Sequence, residues 1–273
     1  MEQVRVERLD HLGLIAAVIK DLALMEMIAR RLGPEEQERI TPGEAVAGMI
    51  LHGLGFANRP LSLTPQFFAH KPLDLWFRPG IDAEMCNRFK LGRTLDDASA
   101  YGCARLFQEL ALALCTQAGI DLRFTHLDTP SLALTGASVP ESDEHAMRIT
   151  HGSAKDHRPD LKQAVLELMV SQDGGVPFVS QSWDGTTADT QGFQQRAAAL
   201  MRAFKDTPTP RSLVADAKLS WEDHAVHLAQ LGFITRIPAT LQVVAQVIGQ
   251  ALQWDPWQTC DANTRYQPLA WCH

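Results

Sequence analysis

Apolar residues recur at helical spacing through the first 120 residues of this 273-residue chain. A first run stops at Gly33-Pro34, a pair that commonly ends a helix. A second helix is predicted to begin at Thr41, because a threonine N-cap, Pro42 at the first helical position and Glu44 after it form a capping box. This helix is predicted to end at Gly55. The first run comprises Leu12, Ile15, Ala16, Ile19, Leu22, Ala23 and Met27.

A proline-rich connection follows, and a further helix is predicted from about Thr94 to Gly119. Its start is placed at Thr94 because Thr94-Leu95-Asp96-Asp97 has the form of a capping box. The first 120 residues are therefore predicted to be a helical domain. The prolines of the connection are Pro60, Pro65, Pro72 and Pro79.

From residue 121 the pattern changes to short apolar runs that are typical of strands. Strands are predicted at 122–128, 164–170, 176–182, 212–216 and 233–237, and helices at 191–204 and 221–231. Gln172-Asp173-Gly174-Gly175 predicts a hairpin turn, since Asp-Gly between apolar runs favours one. The order β, β, β, α, β, α, β predicts that residues 121–273 form a mixed sheet with flanking helices. The expected fold class is thus α+β or mixed α/β, with domains at 1–120 and 121–273.

The composition narrows the class of protein. Hydrophobic residues make up 45% and charged residues 21%, as in ordinary globular proteins. The net charge of -7 excludes a protein that is basic throughout, but not one with a local basic surface. No signal peptide or membrane-length apolar run is found, so a cytoplasmic location is expected. The cysteines form no CxxC pair, which favours reduced thiols over a zinc site: Cys86, Cys103, Cys115, Cys260 and Cys272.

Two aspartates stand at the ends of predicted strands. Asp128 ends the first strand and Asp216 ends the run Leu213-Val214-Ala215. If the two strands are neighbours, both carboxylates project from one edge of the sheet. Such a pair supplies the hard oxygen ligands that Mg²⁺ or Mn²⁺ prefers. The alternative is that each aspartate is only a helix N-cap or a turn residue.

A locally basic stretch lies between the two aspartates. Residues 148–162 carry four Lys or Arg against two acids. Lys155, Arg158 and Lys162 are therefore candidates to contact a DNA backbone. Lys218, in a second basic group, is another. The alternative is a solvated loop with local ion pairs.

Other residues point less clearly to chemistry. Asp189 is interpreted as a helix N-cap, and His11 as a structural histidine with a satisfied hydrogen bond. GxGxxG, P-loop, GxSxG and HExxH motifs are absent from the sequence. Nucleotide-dependent, serine-hydrolase and zincin activities therefore have no support.

Several segments between residues 124 and 248 together resemble bacterial insertion-sequence transposases of the DDE class. The resemblance implies a ribonuclease-H-like catalytic domain, with Asp128 and Asp216 as two of three acidic ligands of Mg²⁺ or Mn²⁺. It also implies cleavage at the ends of a mobile element, joining to target DNA, and self-association. Asp184 and Gly185 match a family motif with a supporting role. The matching segments are HLDTPSLALTG (126–136), THGSAKDHRPDLKQ (150–163), SQDGGVP (171–177), SWDG (182–185), LVADAKL (213–219) and GFITRIP (232–238).

The helical first 120 residues resemble the N-terminal region of such transposases, which implies DNA binding and assembly. The chain departs from the family pattern near its end, where a Tyr-Gly and Gln-Arg-Trp segment and then the catalytic glutamate would follow. Glu222, the only glutamate after Asp216, does not match that position. We therefore expect a truncated transposase without its third carboxylate. The alternatives are a non-enzymatic DNA-binding or inhibitory fragment, and a nuclease that works with the two aspartates alone.

Overall fold

The computed structural model describes residues 6–33, 38–56, 58–135, 149–151, 160–184, 212–215, 232–235, 242–253, 258–259 and 265–266. The chain divides into two compact units, Met1–Thr187 and Ala188–His273. The predicted boundary near residue 120 falls inside the first unit, where helices give way to strands. The chain is mixed α/β, as predicted.

The first unit begins with helices whose apolar faces enclose a common core. Short 3₁₀ turns lie at Leu61–Leu63 and Ala83–Cys86. The helices are α1 (Leu12–Asp21), α2 (Leu24–Leu32), α3 (Pro42–Leu54), α4 (Thr64–Phe68), α5 (Leu73–Trp76), α6 (Arg88–Tyr101) and α7 (Cys103–Ala118). The core includes Leu12, Ile40, Leu51, Phe68, Trp76 and Leu91.

The proline-rich connection supplies a large part of this core. The sequence predicts only a linker here, whereas the structure forms α4 and α5. Pro65 lies in the first turn of α4, where its missing N–H costs no hydrogen bond. Phe68 and Trp76 are buried and meet edge to face, with ring centroids 6.4 Å apart. The prolines therefore start short helices that carry aromatic residues into the core.

Two predicted helix boundaries are corrected by the structure. The first apolar run divides into α1 and α2 because Ala23 adopts a left-handed conformation, with φ of 50°. The predicted start at Thr94 is wrong, since Thr94 lies buried within α6. The N-cap of α6 is Asn87, whose Oδ1 accepts from the N–H groups two and three residues on, both at 3.1 Å. Gly102, with φ of 98°, separates α6 from α7.

The predicted capping box at the start of α3 is confirmed. Thr41 Oγ1 accepts a hydrogen bond from the Glu44 N–H at 3.1 Å, and Glu44 Oε2 accepts one from the Thr41 N–H at 2.8 Å. Arg78 Nε donates to Glu44 Oε1 at 2.7 Å. The buried Glu44 carboxylate thus fixes the helix start and ties it to the segment after α5.

The strands of the first unit are organised around the long strand β4. All pairings are antiparallel: β1 and β2 lie along one edge of β4, and β5 and β3 along the other. The predicted hairpin between β4 and β5 is confirmed, with Gly174 at φ 72° and Gly175 at φ 61°. Helix α7 packs against β5. The strands are β1 (Phe124–Asp128), β2 (Ser131–Leu134), β3 (Thr150–His151), β4 (Lys162–Ser171) and β5 (Pro177–Asp184).

In the second unit, two of the predicted strands are present and form a parallel pair. They are β6 (Ser212–Ala215) and β7 (Gly232–Thr235). A helix that the sequence pattern did not predict follows, α8 (Gln242–Gln253), and then an antiparallel pair, β8 (Gln258–Thr259) and β9 (Arg265–Tyr266). The predicted helices at 191–204 and 221–231 lie outside the described residues. No helix in the described part of the chain is long and apolar enough to cross a membrane.

Candidate functional site

Asp128 ends β1 with its side chain exposed. Along β1, Thr125 and Leu127 are buried, whereas Phe124 and Asp128 are exposed. This alternation is that of a strand with one face covered by the core. Asp128 Oδ1 accepts a hydrogen bond from the N–H of Thr129 at 2.8 Å. The carboxylate that the sequence singled out is therefore presented on the more open face of the sheet.

The backbone around Asp128 is held by a ladder that continues past the end of β1. Asp128 pairs with Leu168, and Ser131, three residues later, pairs with Val165, three residues earlier in β4. Between these pairs, the Pro130 carbonyl accepts a hydrogen bond from the Leu166 N–H at 2.9 Å. The register with β4 is therefore unbroken. The backbone is paired with β4 both before and after Asp128, which fixes the position of this residue.

Lys162 projects from the same face of the sheet as Asp128. Residues opposite each other in a ladder share a face, and faces alternate along a strand. Asp128 lies opposite Leu168, six residues from Lys162 along β4. At about 3.3 Å per residue, the two positions are roughly 20 Å apart. A carboxylate and a lysine thus lie on one face of the sheet without being in contact.

Asp184 lies at the end of β5 and also faces this side, since it pairs with Ala164. Strand β4 lies between β5 and β1, so two strand spacings and four residues separate Asp184 from Asp128, about 10 Å across the sheet and about 13 Å along it. Asp184 is therefore too far from Asp128 to share a metal ion with it directly.

Glu167 is a buried carboxylate that the sequence analysis did not single out. It lies in β4 opposite Gln181 of β5, with a side chain that is 2% exposed. The signal was available, because a charged residue interrupts the apolar run of β4. Glu167 precedes Leu168, so its side chain leaves the sheet on the face opposite to Asp128. Buried polar residues accompany it on that face: Thr125, Gln163 and Ser171.

The remaining predicted site residues fall outside the part of the chain that the structure describes. Asp216 directly follows β6, and Lys155, Arg158 and Lys218 are likewise outside. Among the described residues, no three His, Cys, Asp or Glu side chains are grouped to hold a metal ion. His11, interpreted as structural, has its Nε2 2.9 Å from the Leu54 carbonyl oxygen.

Residues 4–112 match a family whose description is a domain of unknown function, DUF4277. No curated protein matches the sequence. Among solved structures, the chain is similar to a piggyBac transposase in a synaptic complex with hairpin DNA, with 11% identity and a TM-score of 0.43. That match covers 86% of this chain and 53% of the other, so this chain spans about half the length of that transposase.

Two structures of Mos1 transposase are also similar to the chain. One is a paired-end complex with the left transposon end, with 12% identity and a TM-score of 0.29, covering 81% of this chain and 68% of that one. The other is a pre-cleavage transpososome, with 11% identity and a TM-score of 0.29, covering 90% and 85%. At these identities and scores, the likeness carries no functional argument.

Proposed function

We propose that the chain is a DNA transposase of the DDE class, which cleaves and joins DNA strands at the ends of an insertion sequence with a divalent metal ion. The observation that carries the proposal is the placement of Asp128. Its motif matches the first-aspartate block, and its carboxylate is exposed at the end of a strand whose ladder continues on both sides. A rigidly mounted, exposed carboxylate is what a hard cation requires.

Asp128 and Asp216 would hold Mg²⁺ or Mn²⁺. Asp128 suits this role because its side chain is exposed at the end of β1 and not buried in the core. A divalent ion bound there would activate the attacking oxygen and offset the charge that develops on the leaving oxygen of a phosphodiester. The two aspartates would orient that ion, so replacing either should greatly reduce cleavage while leaving DNA binding largely intact.

Lys162 would contact the DNA backbone on the same face. Its distance from Asp128, roughly 20 Å, is the axial rise of about six nucleotides in B-form DNA. A strand seated over Asp128 would therefore reach the ammonium group of Lys162. We propose Lys155, Arg158 and Lys218 as further backbone contacts from their sequence context alone.

The test of cleavage uses labelled DNA that carries the element's own ends, with Mg²⁺ or Mn²⁺. Metal-dependent nicking by the wild type that falls about 100-fold or more in Asp128→Asn and in Asp216→Asn would support the proposal. Asp121→Asn is the matched control, because the Asp121 carboxylate is partly exposed and is ion-paired with Arg123. Nicking that persists in Asp128→Asn would refute the assignment. If the wild type and all the variants bind the DNA ends but none of them nicks, the chain is a DNA-binding protein and not an enzyme.

Two further measurements do not depend on cleavage. Mn²⁺ binding followed by electron paramagnetic resonance should weaken in Asp128→Asn and stay unchanged in Asp121→Asn. Lys162→Ala should lower DNA affinity and reduce the slope of log K against log salt by about one. Arg123→Ala, which removes an exposed arginine from the same unit, should leave that slope unchanged. An unchanged slope in Lys162→Ala would place the DNA elsewhere.

A further inference from the structure

His126 lies two residues before Asp128 in β1, and its side chain leaves the sheet on the same face. The burial along the strand agrees with this, since Thr125 and Leu127 on the other face are buried, whereas His126 is partly exposed. Two residues of an antiparallel strand span about 7 Å. The imidazole and the carboxylate are therefore neighbours on one face, as two ligands of one metal ion must be.

Gln172 orients the ring of His126. The His126 Nε2 atom is 3.1 Å from Oε1 of Gln172. Because an amide oxygen only accepts hydrogen bonds, Nε2 carries the hydrogen, and the lone pair of the neutral ring is then on Nδ1. Histidines that bind metal ions almost always donate their other ring N–H to an oxygen, which fixes the tautomer and the ring orientation. His126 is thus in the form that binds a metal ion through Nδ1.

The position of Gln172 also decides where Nδ1 points. The Gln172 N–H donates to the carbonyl oxygen of Phe124 at 3.0 Å, so Gln172 lies toward the start of β1. Asp128 lies on the other side of His126, at the end of the strand. The two ring nitrogens direct their N–H bond and their lone pair away from each other. The hydrogen bond to Gln172 is therefore expected to turn the Nδ1 lone pair toward Asp128.

Asp128 is prepared for the same ion. Its Oδ1 accepts the hydrogen bond from the Thr129 N–H at 2.8 Å, which orients the carboxylate. Carboxylates that bind metal ions are commonly held by such hydrogen bonds. Both ligand positions belong to a strand that is paired with β4, so their backbone is rigid.

The sheet next to the two ligands is apolar. Across the ladder in β4, Val170 lies opposite His126 and Leu168 lies opposite Asp128. Neither residue carries a charge that would repel a cation or pair with the carboxylate. Lys162, the charged residue that β4 places on this face, is roughly 20 Å from Asp128. Apolar neighbours also limit the access of water to a bound ion, which strengthens its interaction with the ligands.

We propose that His126 and Asp128 together bind one divalent transition-metal ion, through Nδ1 and a carboxylate oxygen, and that this site selects such ions over Mg²⁺. The inference rests on the proposed function of Asp128 and specifies its ligand partner and its metal. Mg²⁺ takes oxygen ligands and retains its water, whereas first-row transition metals accept an imidazole nitrogen. Two protein ligands leave the other positions of the ion open to water and phosphate oxygens.

The test is pulsed electron paramagnetic resonance of Mn²⁺ bound to the full chain, since Mn²⁺ is the paramagnetic probe of this class of ions. A coordinated imidazole couples its nitrogen to the metal. We expect this coupling in the wild type, a shift of its frequency when the histidines are ¹⁵N-labelled, and its loss in His126→Gln. His151→Gln is the matched control, because His151 is exposed on the same face, opposite Lys162. It should retain the coupling.

Metal affinity, measured by calorimetry, provides a second readout. His126→Gln should weaken Mn²⁺ binding about tenfold or more and change Mg²⁺ binding less than about threefold. Gln172→Leu should weaken Mn²⁺ binding about tenfold, because it removes the acceptor that fixes the ring. Thermal unfolding without metal checks that each variant is folded.

The outcomes separate this inference from the proposed function. Mn²⁺ that binds without nitrogen coupling, or whose coupling persists in His126→Gln, would overturn the inference and leave the role of Asp128 standing. A wild type that nicks DNA with Mg²⁺ but binds no Mn²⁺ would do the same. Coupling that is lost in His126→Gln, in a protein that does not nick DNA, would support the inference and refute the proposed function.

Discussion

Arg31 in α2 and Glu109 in α7 form an ion pair with 2.9 Å between Nε and Oε2. The two residues are 78 positions apart in the sequence, so the pair joins distant helices. Tyr101 at the end of α6 donates its hydroxyl to the same carboxylate oxygen at 2.8 Å. Arg105 Nε donates to the other oxygen, Oε1, at 2.8 Å. One carboxylate therefore connects three helices, α2, α6 and α7.

The hydrogen bonds to Glu109 predict how stability depends on pH. The bonds from Arg105, and then from Arg31 and Tyr101, lower the pKa of the Glu109 carboxyl from 4.5 to about 2. Between these values the unfolded chain binds more protons than the folded one, so stability should fall as pH decreases from about 5 to about 2. Urea unfolding at a series of pH values measures this.

The variant Glu109→Gln isolates that contribution. It should lower the free energy of unfolding at pH 7 by about 1 kcal/mol, since the carboxylate is partly exposed and screened. It should also reduce the loss of stability between about pH 5 and about pH 2. Glu26→Gln, at an exposed position of α2, should keep the wild-type profile. An unchanged profile in Glu109→Gln would contradict the prediction.

At Gly43 in α3, we expect a single added methyl group to lower the stability of the protein substantially. A Cβ at this position would lie 1.9 Å from the carbonyl oxygen of Met25 in α2, so the two helices would have to separate. Gly43→Ala should therefore lower the free energy of unfolding by about 2 kcal/mol. Gly92→Ala in α6, where a Cβ meets nothing within 4 Å, should instead raise it by about 0.5–1 kcal/mol. Equal effects of the two substitutions, by chemical denaturation, would show that the close approach does not matter.

The features that the sequence predicted correctly are those that depend on local geometry. Thr41 and Glu44 satisfy each other within four residues, and the turn at Gly174-Gly175 needs positive φ angles that glycine provides. The errors involve packing between distant segments. Thr94 has the sequence of a cap, but Asn87 caps the helix and Thr94 is buried. Ala23 breaks a run of regular apolar spacing, which periodicity does not reveal.

At the candidate site, too, the sequence predicted the local feature but not the contacts between strands. The position of Asp128 at a strand end followed from its apolar run and Thr129-Pro130. That Lys162 shares its face depends on the β1–β4 register, which the sequence does not fix. Glu167 was overlooked because a charged residue within an apolar strand suggests exposure, whereas it is buried. The roles of Asp216, Lys155, Arg158 and Lys218 remain predictions.

Lys90 in α6 and Glu38 form an ion pair with 2.7 Å between Nζ and Oε1 and with side chains only 7% and 9% exposed. Removing one partner leaves a charge with little access to water. Lys90→Met should therefore lower the free energy of unfolding by about 3 kcal/mol, and Glu38→Met combined with it should recover most of that loss. A double-mutant cycle by urea unfolding measures the coupling. A double variant that is less stable than Lys90→Met alone would contradict this account.

We expect the surroundings of His52 in α3 to make stability depend on pH in a second range, above that of Glu109. Its Nδ1 lies 2.9 Å from Thr64 Oγ1, and the Thr64 hydroxyl donates to the Leu61 carbonyl at 2.7 Å. Thr64 must therefore accept a hydrogen bond from Nδ1–H, which leaves the lone pair of the neutral ring on Nε2. Nε2 is buried and has no hydrogen-bond partner in the described structure. Protonation would place a charged N–H in this environment.

Burial, with a smaller effect of the Arg59 charge, lowers the pKa of His52 below its ordinary 6.5. The unfolded chain then binds the extra proton more readily, so stability should fall as pH decreases below about 6.5 and be fully present above it. His52→Gln should remove this slope, and His70→Gln, at an exposed position, should retain it. Titration of the His52 ring by NMR measures the shift directly. A midpoint at or above 6.5 would contradict the prediction and imply that Nε2 finds an acceptor when protonated.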